Sequence, residues 1–311
     1  MRILIAGIGG VGGFIGAKLA LYAEQNKEFE IYFLSRGKNL EKILSHGIEL
    51  IEPAETILTK SFIAADNCSS FPKMDVVVLA CKSYGLETIC DIISNTVDEQ
   101  TIVVPLLNGI SHSEVLKRKF PHSILCEAFI YIVSKLEAPA QILMESKSHS
   151  LYFGHLASTS ERLYGLESVF NAAKINAHCV DNIEENIWRK FTFISPIATY
   201  TSAYNLTKKD ILENTQHAFA LKEMMLEVYS LSQALKINLP NNMLELHWEQ
   251  FVKLPDGSSS SMHRDYILGK ESEIETLSEY VVNQSKIHGL KTPFYTRAIA
   301  QISETYYRNT L

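Results

Sequence analysis

Residues 1–20 read MRILIAGIGGVGGFIGAKLA, an apolar run that passes directly into a glycine cluster and then into a stretch rich in small residues. Met1 to Ala6 is long enough for a short buried strand, and Val11 to Ala20 reads as a helix with small residues on one side. The glycines fall at the joint. Gly7, Gly9 and Gly12 fit the spacing GxGxxG, in which the first serves a tight turn, the second admits a diphosphate close to the backbone, and the third allows close helix–strand contact. A helix N-terminus placed there offers free N–H groups and a partial positive charge to phosphates. Gly7, Gly9, Gly10, Val11 and Gly12 are therefore the candidate cofactor-binding backbone.

The next apolar run, FEIYFLSRG (Phe29 to Gly37), completes a βαβ unit. Where a site for NAD usually carries an acidic residue to hold the ribose 2′-hydroxyl, this chain has Ser35 and Arg36, followed by Lys38. A guanidinium pairs well with a 2′-phosphate, so NADPH is the expected cofactor and Arg36 its phosphate ligand. MDVVVLACKS (Met74 to Ser83) and TIVVPLLNG (Thr101 to Gly109) supply further strands with a helical stretch between them. Nearly continuous apolar strands alternating with helices describe a parallel sheet covered on both faces. Residues 123–155 hold several strand-like pieces without a long helix, which suggests an antiparallel extension. A short helix (about Glu161 to Lys174) and a strand (Ile175 to Val180) close a Rossmann-like α/β domain over residues 1–181.

From Asn182 onward the texture is helical, giving an all-α domain over residues 182–311. Ile183, Ile187, Phe191 and Ile194 form one apolar face, and Leu221, Met224, Met225, Val228, Leu231 and Leu235 a stronger one. Pro196 is expected to kink or end its helix. Ser272 and Glu275 fit a capping box that starts the last clear helix, which stops at Gly289 with Pro293 beyond. The loop DGSSSSM (Asp256 to Met262) is the one low-complexity piece.

The chain has 311 residues, 46% hydrophobic and 21% charged, with a formal charge of −6. That balance suits a globular protein with ample core and argues against nucleic acid or an anionic membrane as the main partner. Five cysteines without a CxxC pair suggest neither a disulfide framework nor zinc, and ten histidines without ligand spacing suggest no metal. The N-terminal run breaks at Gly7 and does not read as a signal peptide, and no run approaches the ~20 residues of a membrane span. A cytoplasmic protein is expected. A homodimer stays open, because the long helices can pack within one chain or against a second.

A nicotinamide cofactor brings a hydride, so the protein must position a carbonyl, polarise it and deliver a proton. Lys82 and Asn108 follow the third and fourth apolar strand runs, at the strand ends where open α/β sheets hold ligands, although an amide in Leu107-Asn108-Gly109 also suits a simple turn. Lys190, in IWRKFTFISPIATYTSAYN (Ile187 to Asn205), borders Trp188 and Phe191. Such a lysine either snorkels to solvent or faces a cleft, where desolvation lowers its pKa and makes it a usable general acid. Glu273 falls in the first turn of its helix, where the dipole favours a carboxylate.

The series formed by the glycine loop, LSRG, ACKS, LLNG, WRKF, the SSM loop, SEIE and HGLKTP resembles, in order and spacing, the ketopantoate reductase (2-dehydropantoate 2-reductase) family, nearly end to end. The resemblance implies a Rossmann domain, a helical C-terminal domain and NADPH in the cleft between them. It implies Lys190 as general acid toward the keto oxygen of a 2-oxoacid, Glu273 as its partner at the reacting oxygen, and Asn108 and Lys82 near nicotinamide and substrate. Ser261, twelve residues before Glu273, would take the substrate carboxylate, and Arg36 the 2′-phosphate. Three substrate positions depart from the family pattern: Ile194, Ala198 and Ser258 stand where pantothenate-pathway enzymes carry asparagines. Asn205 is a candidate for a fourth, its register open. Ketopantoate is the expected substrate, with a less hydroxylated 2-oxoacid as the alternative. A non-catalytic NADPH sensor would need neither Lys190 nor Glu273.

Overall fold

The computed structural model describes residues 1–155 and 161–309. The chain divides into two units, one of residues Met1–Leu107 and His112–Ile183 and the other of Asn108–Ser111 and Glu184–Leu311.

The first unit is built on a six-stranded parallel sheet of Arg2–Ala6, Glu30–Leu34, Ile63–Ala65, Val76–Leu79, Ile102–Pro105 and Ile124–Leu125. In chain order its strands lie 3-2-1-4-5-6, the doubly wound order whose direction reverses between the first strand and the fourth. Side chains of both sheet faces are buried. Ile3, Ile5, Phe33, Val76 and Val78 join one core with the helix Gly10–Gln25, while Leu4, Ala6, Leu34, Val77 and Leu79 join another with Leu86, Cys90 and Ile93. Burial on both sides explains why these strands read as unbroken apolar runs. The first helix runs five residues past Ala20, to Gln25.

Residues 123–155 depart from the single extension expected. Ile124–Leu125 joins the central sheet in parallel, and the remaining strands divide between two smaller sheets. Ser134–Ala138 and Gln141–Met144 combine with Ile48–Ile51 and Thr56–Thr59, and Glu127–Tyr131 and Ser150–Gly154 combine with Ala177–Cys179. Gln141 pairs with Glu49, 92 residues back, and Leu151 with Ala177, 26 residues on, partners that short-range pattern cannot reveal.

In the second unit the helices Ile183–Tyr204, Thr215–Ala234, Met243–Val252 and Pro293–Asn309 enclose a core that includes Phe191, Leu221, Met225, Val228, Leu277 and Tyr295. Pro196 does not end its helix, which continues for eight further residues to Tyr204. Its helix neighbours Phe193, Ile197, Ala198 and Tyr200 belong to this core, and their burial offsets the backbone hydrogen bond that the proline removes. The expected capping box at Ser272 and Glu275 gives way to another start: the first helical residue is Ile274, and Glu275–Glu279 form a π turn before the α-helix Tyr280–Ile287. That helix closes as expected, with Gly289 at φ +71° and Leu290 N–H donating to the Ser285 carbonyl at 2.8 Å, a Schellman-type end.

Among the described residues no helix is long and apolar enough to cross a membrane, and no group of three or more His, Cys, Asp or Glu is placed to hold a metal ion. Among the described residues no disulfide joins the cysteines.

Candidate functional site

In the first unit the glycine turn occupies the carboxyl end of Arg2–Ala6, at the point where strand order reverses. Gly7 has φ +103°, and a Cβ on it would lie 2.9 Å from the Ala80 carbonyl oxygen. A Cβ on Gly12 would stand 1.9 Å from the Gly7 carbonyl oxygen, so the helix can meet the strand this closely only without a side chain. Gly9 differs: it is the helix N-cap, has no side-chain capping bond, and a Cβ there would meet nothing within 4 Å. The first-turn N–H groups of Gly10, Val11 and Gly12 have no carbonyl one turn earlier within the helix, and no acidic residue stands in that turn. Open space at Gly9, beside uncapped donors, fits a diphosphate.

Arg36 is exposed at the end of Glu30–Leu34, where it caps the helix Gly37–His46. Lys82 is half-buried after Val76–Leu79 and begins the turn Ser83–Gly85. Three strand ends thus carry the glycine turn, Arg36 and Lys82 on one edge of one sheet. Asn39, which sequence reasoning missed, braces this edge. Its amide nitrogen donates to the Ile8 carbonyl and the Ser35 hydroxyl, both at 3.0 Å, and its oxygen accepts from Ala140 N–H at 2.8 Å. Only its position three residues after Arg36 hinted at a role.

In the second unit Lys190 lies two turns into Ile183–Tyr204, and its Nζ donates to Asn108 Oδ1 at 3.5 Å. Part of its surface stays open, yet enough protein surrounds the ammonium that desolvation pushes its pKa down to about 8, opposed by the Glu273 carboxylate. Glu273 is buried, 3% exposed. It stands two residues before the π turn, and its carbonyl accepts the Leu277 N–H at 3.0 Å. Gly109 packs against the same turn: with φ +87°, a Cβ on it would come within 3.0 Å of Thr276 Cβ. Asn108, Lys190 and Glu273, 82 and 83 residues apart in sequence, are therefore brought into one cluster containing a lysine of lowered pKa. Such a group is suited to proton transfer near neutral pH.

Further along the same helix, Ile194 is half-buried and Ala198 buried. With Lys190 they repeat every four residues and share one face. Thr201, near the end of this face, meets Ser260 Oγ at 3.3 Å. Ser260 caps the helix Ser261–Ile267, so the tail of the serine-rich stretch is helical and Ser261 is its first residue. Ser258 sits in the preceding loop, where its carbonyl accepts Lys208 N–H at 2.9 Å. Asn205, at φ +52°, is 2.9 Å from His263 Nε2 through its side-chain oxygen.

The profile of the family described as ketopantoate reductase PanE/ApbA matches residues 3–158, and that of its C-terminal domain matches residues 182–305. An uncharacterized oxidoreductase, YkpB, of Bacillus subtilis strain 168 is 26% identical over 99% of this chain and 97% of its own length. The crystal structure of 2-dehydropantoate 2-reductase from Porphyromonas gingivalis W83 superposes with a TM-score of 0.85 at 26% identity, covering 97% of this chain and 99% of that one. The ternary structure of D-mandelate dehydrogenase with NADH and anilino(oxo)acetate shares the fold, with a TM-score of 0.89 at 20% identity over the whole of both chains.

Proposed function

From the premise that this chain belongs to the ketopantoate reductase family, we propose that it is an NADPH-dependent 2-oxoacid reductase in which Lys190 delivers the proton to the substrate's keto oxygen. One observation carries this reading: a lysine with its pKa lowered to about 8 by desolvation, held at 3.5 Å from Asn108 and under the influence of the buried Glu273. When bound, the nicotinamide supplies the hydride. Lys190 Nζ–H donates to the oxygen that gains negative charge, Asn108 orients the ammonium through its side-chain oxygen, and Glu273 keeps the ammonium from losing its proton too early. Ser261 receives the substrate carboxylate. The N–H groups of Gly9, Gly10, Val11 and Gly12 bind the diphosphate, with Lys82 beside the nicotinamide half. Arg36 binds the 2′-phosphate; its exposure beside Ser35, with no acidic residue at the strand end, supports NADPH over NADH.

Ketopantoate is the leading substrate. A second reading, a less hydroxylated 2-oxoacid, is favoured by Ile194 and the buried Ala198, which bring no polar atom to the lysine's face. Each substrate hydroxyl left without a partner costs ~1–3 kcal/mol. The test is the rate of NADPH consumption with ketopantoate beside 2-oxoacids that lack its hydroxyl. A kcat/KM for ketopantoate well above the rest supports the first reading, and equal or better turnover of the simpler acids supports the second. No turnover of any 2-oxoacid refutes both.

A further inference from the structure

The helix that carries Lys190 also carries a stripe of hydroxyls: Thr192, Ser195, Thr199 and Ser202, each at most 1% exposed. Buried hydroxyls need hydrogen-bond partners, and each of the two central residues has one partner on the π turn. Ser195 Oγ donates to the Leu277 carbonyl at 2.5 Å and is 2.6 Å from Tyr295 OH. A carbonyl only accepts, so the Ser195 proton is committed to Leu277 and Tyr295 must be the donor to Ser195. Thr199 Oγ1 donates to the Ser195 carbonyl at 2.8 Å and stands 2.7 Å from Ser278 Oγ, which by the same logic donates to it.

Tyr295 is itself held at the other end of its side chain. It is fully buried, and its N–H donates to Glu227 at 3.0 Å. The Leu277 residue is gripped on both sides, its N–H by the Glu273 carbonyl and its own carbonyl by Ser195. A π turn accommodates one residue more than an α turn, is rare, and is frequent at functional sites. Here it begins two residues after Glu273, whose carbonyl accepts the N–H of Leu277 inside it.

We propose that Ser195 and Thr199, fed by the hydroxyls of Tyr295 and Ser278, lock the π turn Glu275–Glu279 to the Lys190 helix and thereby position Glu273 against Lys190. These are positioning residues, and the proposal rests on the reading of Lys190 as proton donor. The other two hydroxyls of the stripe act elsewhere. Thr192 Oγ1 is 2.8 Å from His247 Nε2, and Ser202 Oγ has no hydrogen-bond partner among the described residues, so both serve as internal controls.

The test is an NMR titration of the full-length protein labelled at lysine Cε, the Lys190 signal being the one absent from Lys190→Ala. Glu273 is the charged group that acts on Lys190, and it raises the lysine's pKa. Loosening Glu273 should therefore move the titration downward from about 8, by about half a unit or more, in Ser195→Ala and in Tyr295→Phe. Thr192→Val and Ser202→Ala should leave it in place. An unmoved titration in both relay variants would overturn the proposal, as would an upward move, which water entry alone produces. If Ser195→Ala does not fold, Tyr295→Phe decides, and failure of both to fold assigns the hydroxyls to scaffolding alone. A parent Lys190 that titrates as an ordinary lysine removes the premise itself, an outcome distinct from the others.

Discussion

Replacing Lys190 with alanine tests the chemistry most directly, and its consequences are quantitative. The fall from 10.5 to about 8 corresponds to ~3 kcal/mol in favour of the neutral amine. At pH 7 a group of this pKa is still roughly nine-tenths protonated, and it is a far stronger acid than an ordinary lysine. In the reductive direction kcat/KM should be level below about pH 8 and fall tenfold per pH unit above it. Lys190→Ala should lose roughly 10²–10⁴-fold in rate, lose the break at about 8, and bind NADPH as the parent does. The same shift affects folding. Between about pH 8 and 10.5 the unfolded chain binds the proton that the folded lysine has released, so stability rises with pH in that window. Below it the folded state carries the full penalty, at most ~3 kcal/mol. Urea unfolding across pH 7 to 11 should show this rise in the parent and not in Lys190→Met. A reductive profile that stays level to pH 10, or a break at about 8 that survives in Lys190→Ala, would refute the assignment.

Other outcomes follow from the same geometry. Glu273→Gln removes the charge that holds the lysine's pKa up, so the alkaline break in the rate profile should move below 8. Gly12→Ala, which sets a methyl 1.9 Å from the Gly7 carbonyl, should destabilise the fold by ~1–3 kcal/mol in thermal unfolding and weaken NADPH binding. Gly9→Ala, with open space at its Cβ, should unfold as the parent does and yet bind NADPH more weakly. Arg36→Ala should raise the Kd for NADPH by roughly 10–100-fold, the worth of one or two charge-assisted hydrogen bonds. Its Kd for NADH should stay within a factor of about two, as measured by fluorescence titration.

What the amino-acid sequence determined by itself was local. The glycine turn was legible because its spacing acts over six residues, through a positive φ at Gly7 and a close approach at Gly12. Arg36 was legible because it lies at the end of the strand that follows. The helical faces of Ile183–Tyr204 and Thr215–Ala234 could be read because each is one element with one apolar side. What only the tertiary structure decided depends on partners far along the chain. The sorting of residues 123–155 among three sheets was of this kind, because strands of two to five residues take their sheet from whichever distant edge they meet. Asn39 went unmarked in the sequence because Ile8 and Ala140 come beside its amide only on folding. Nothing in the sequence set Ser195 and Thr199 apart; they find Leu277, Ser278 and Tyr295 only across 79 to 100 residues. The depressed pKa of Lys190 belongs to the same class, since desolvation is a property of what surrounds a side chain and not of its neighbours in sequence.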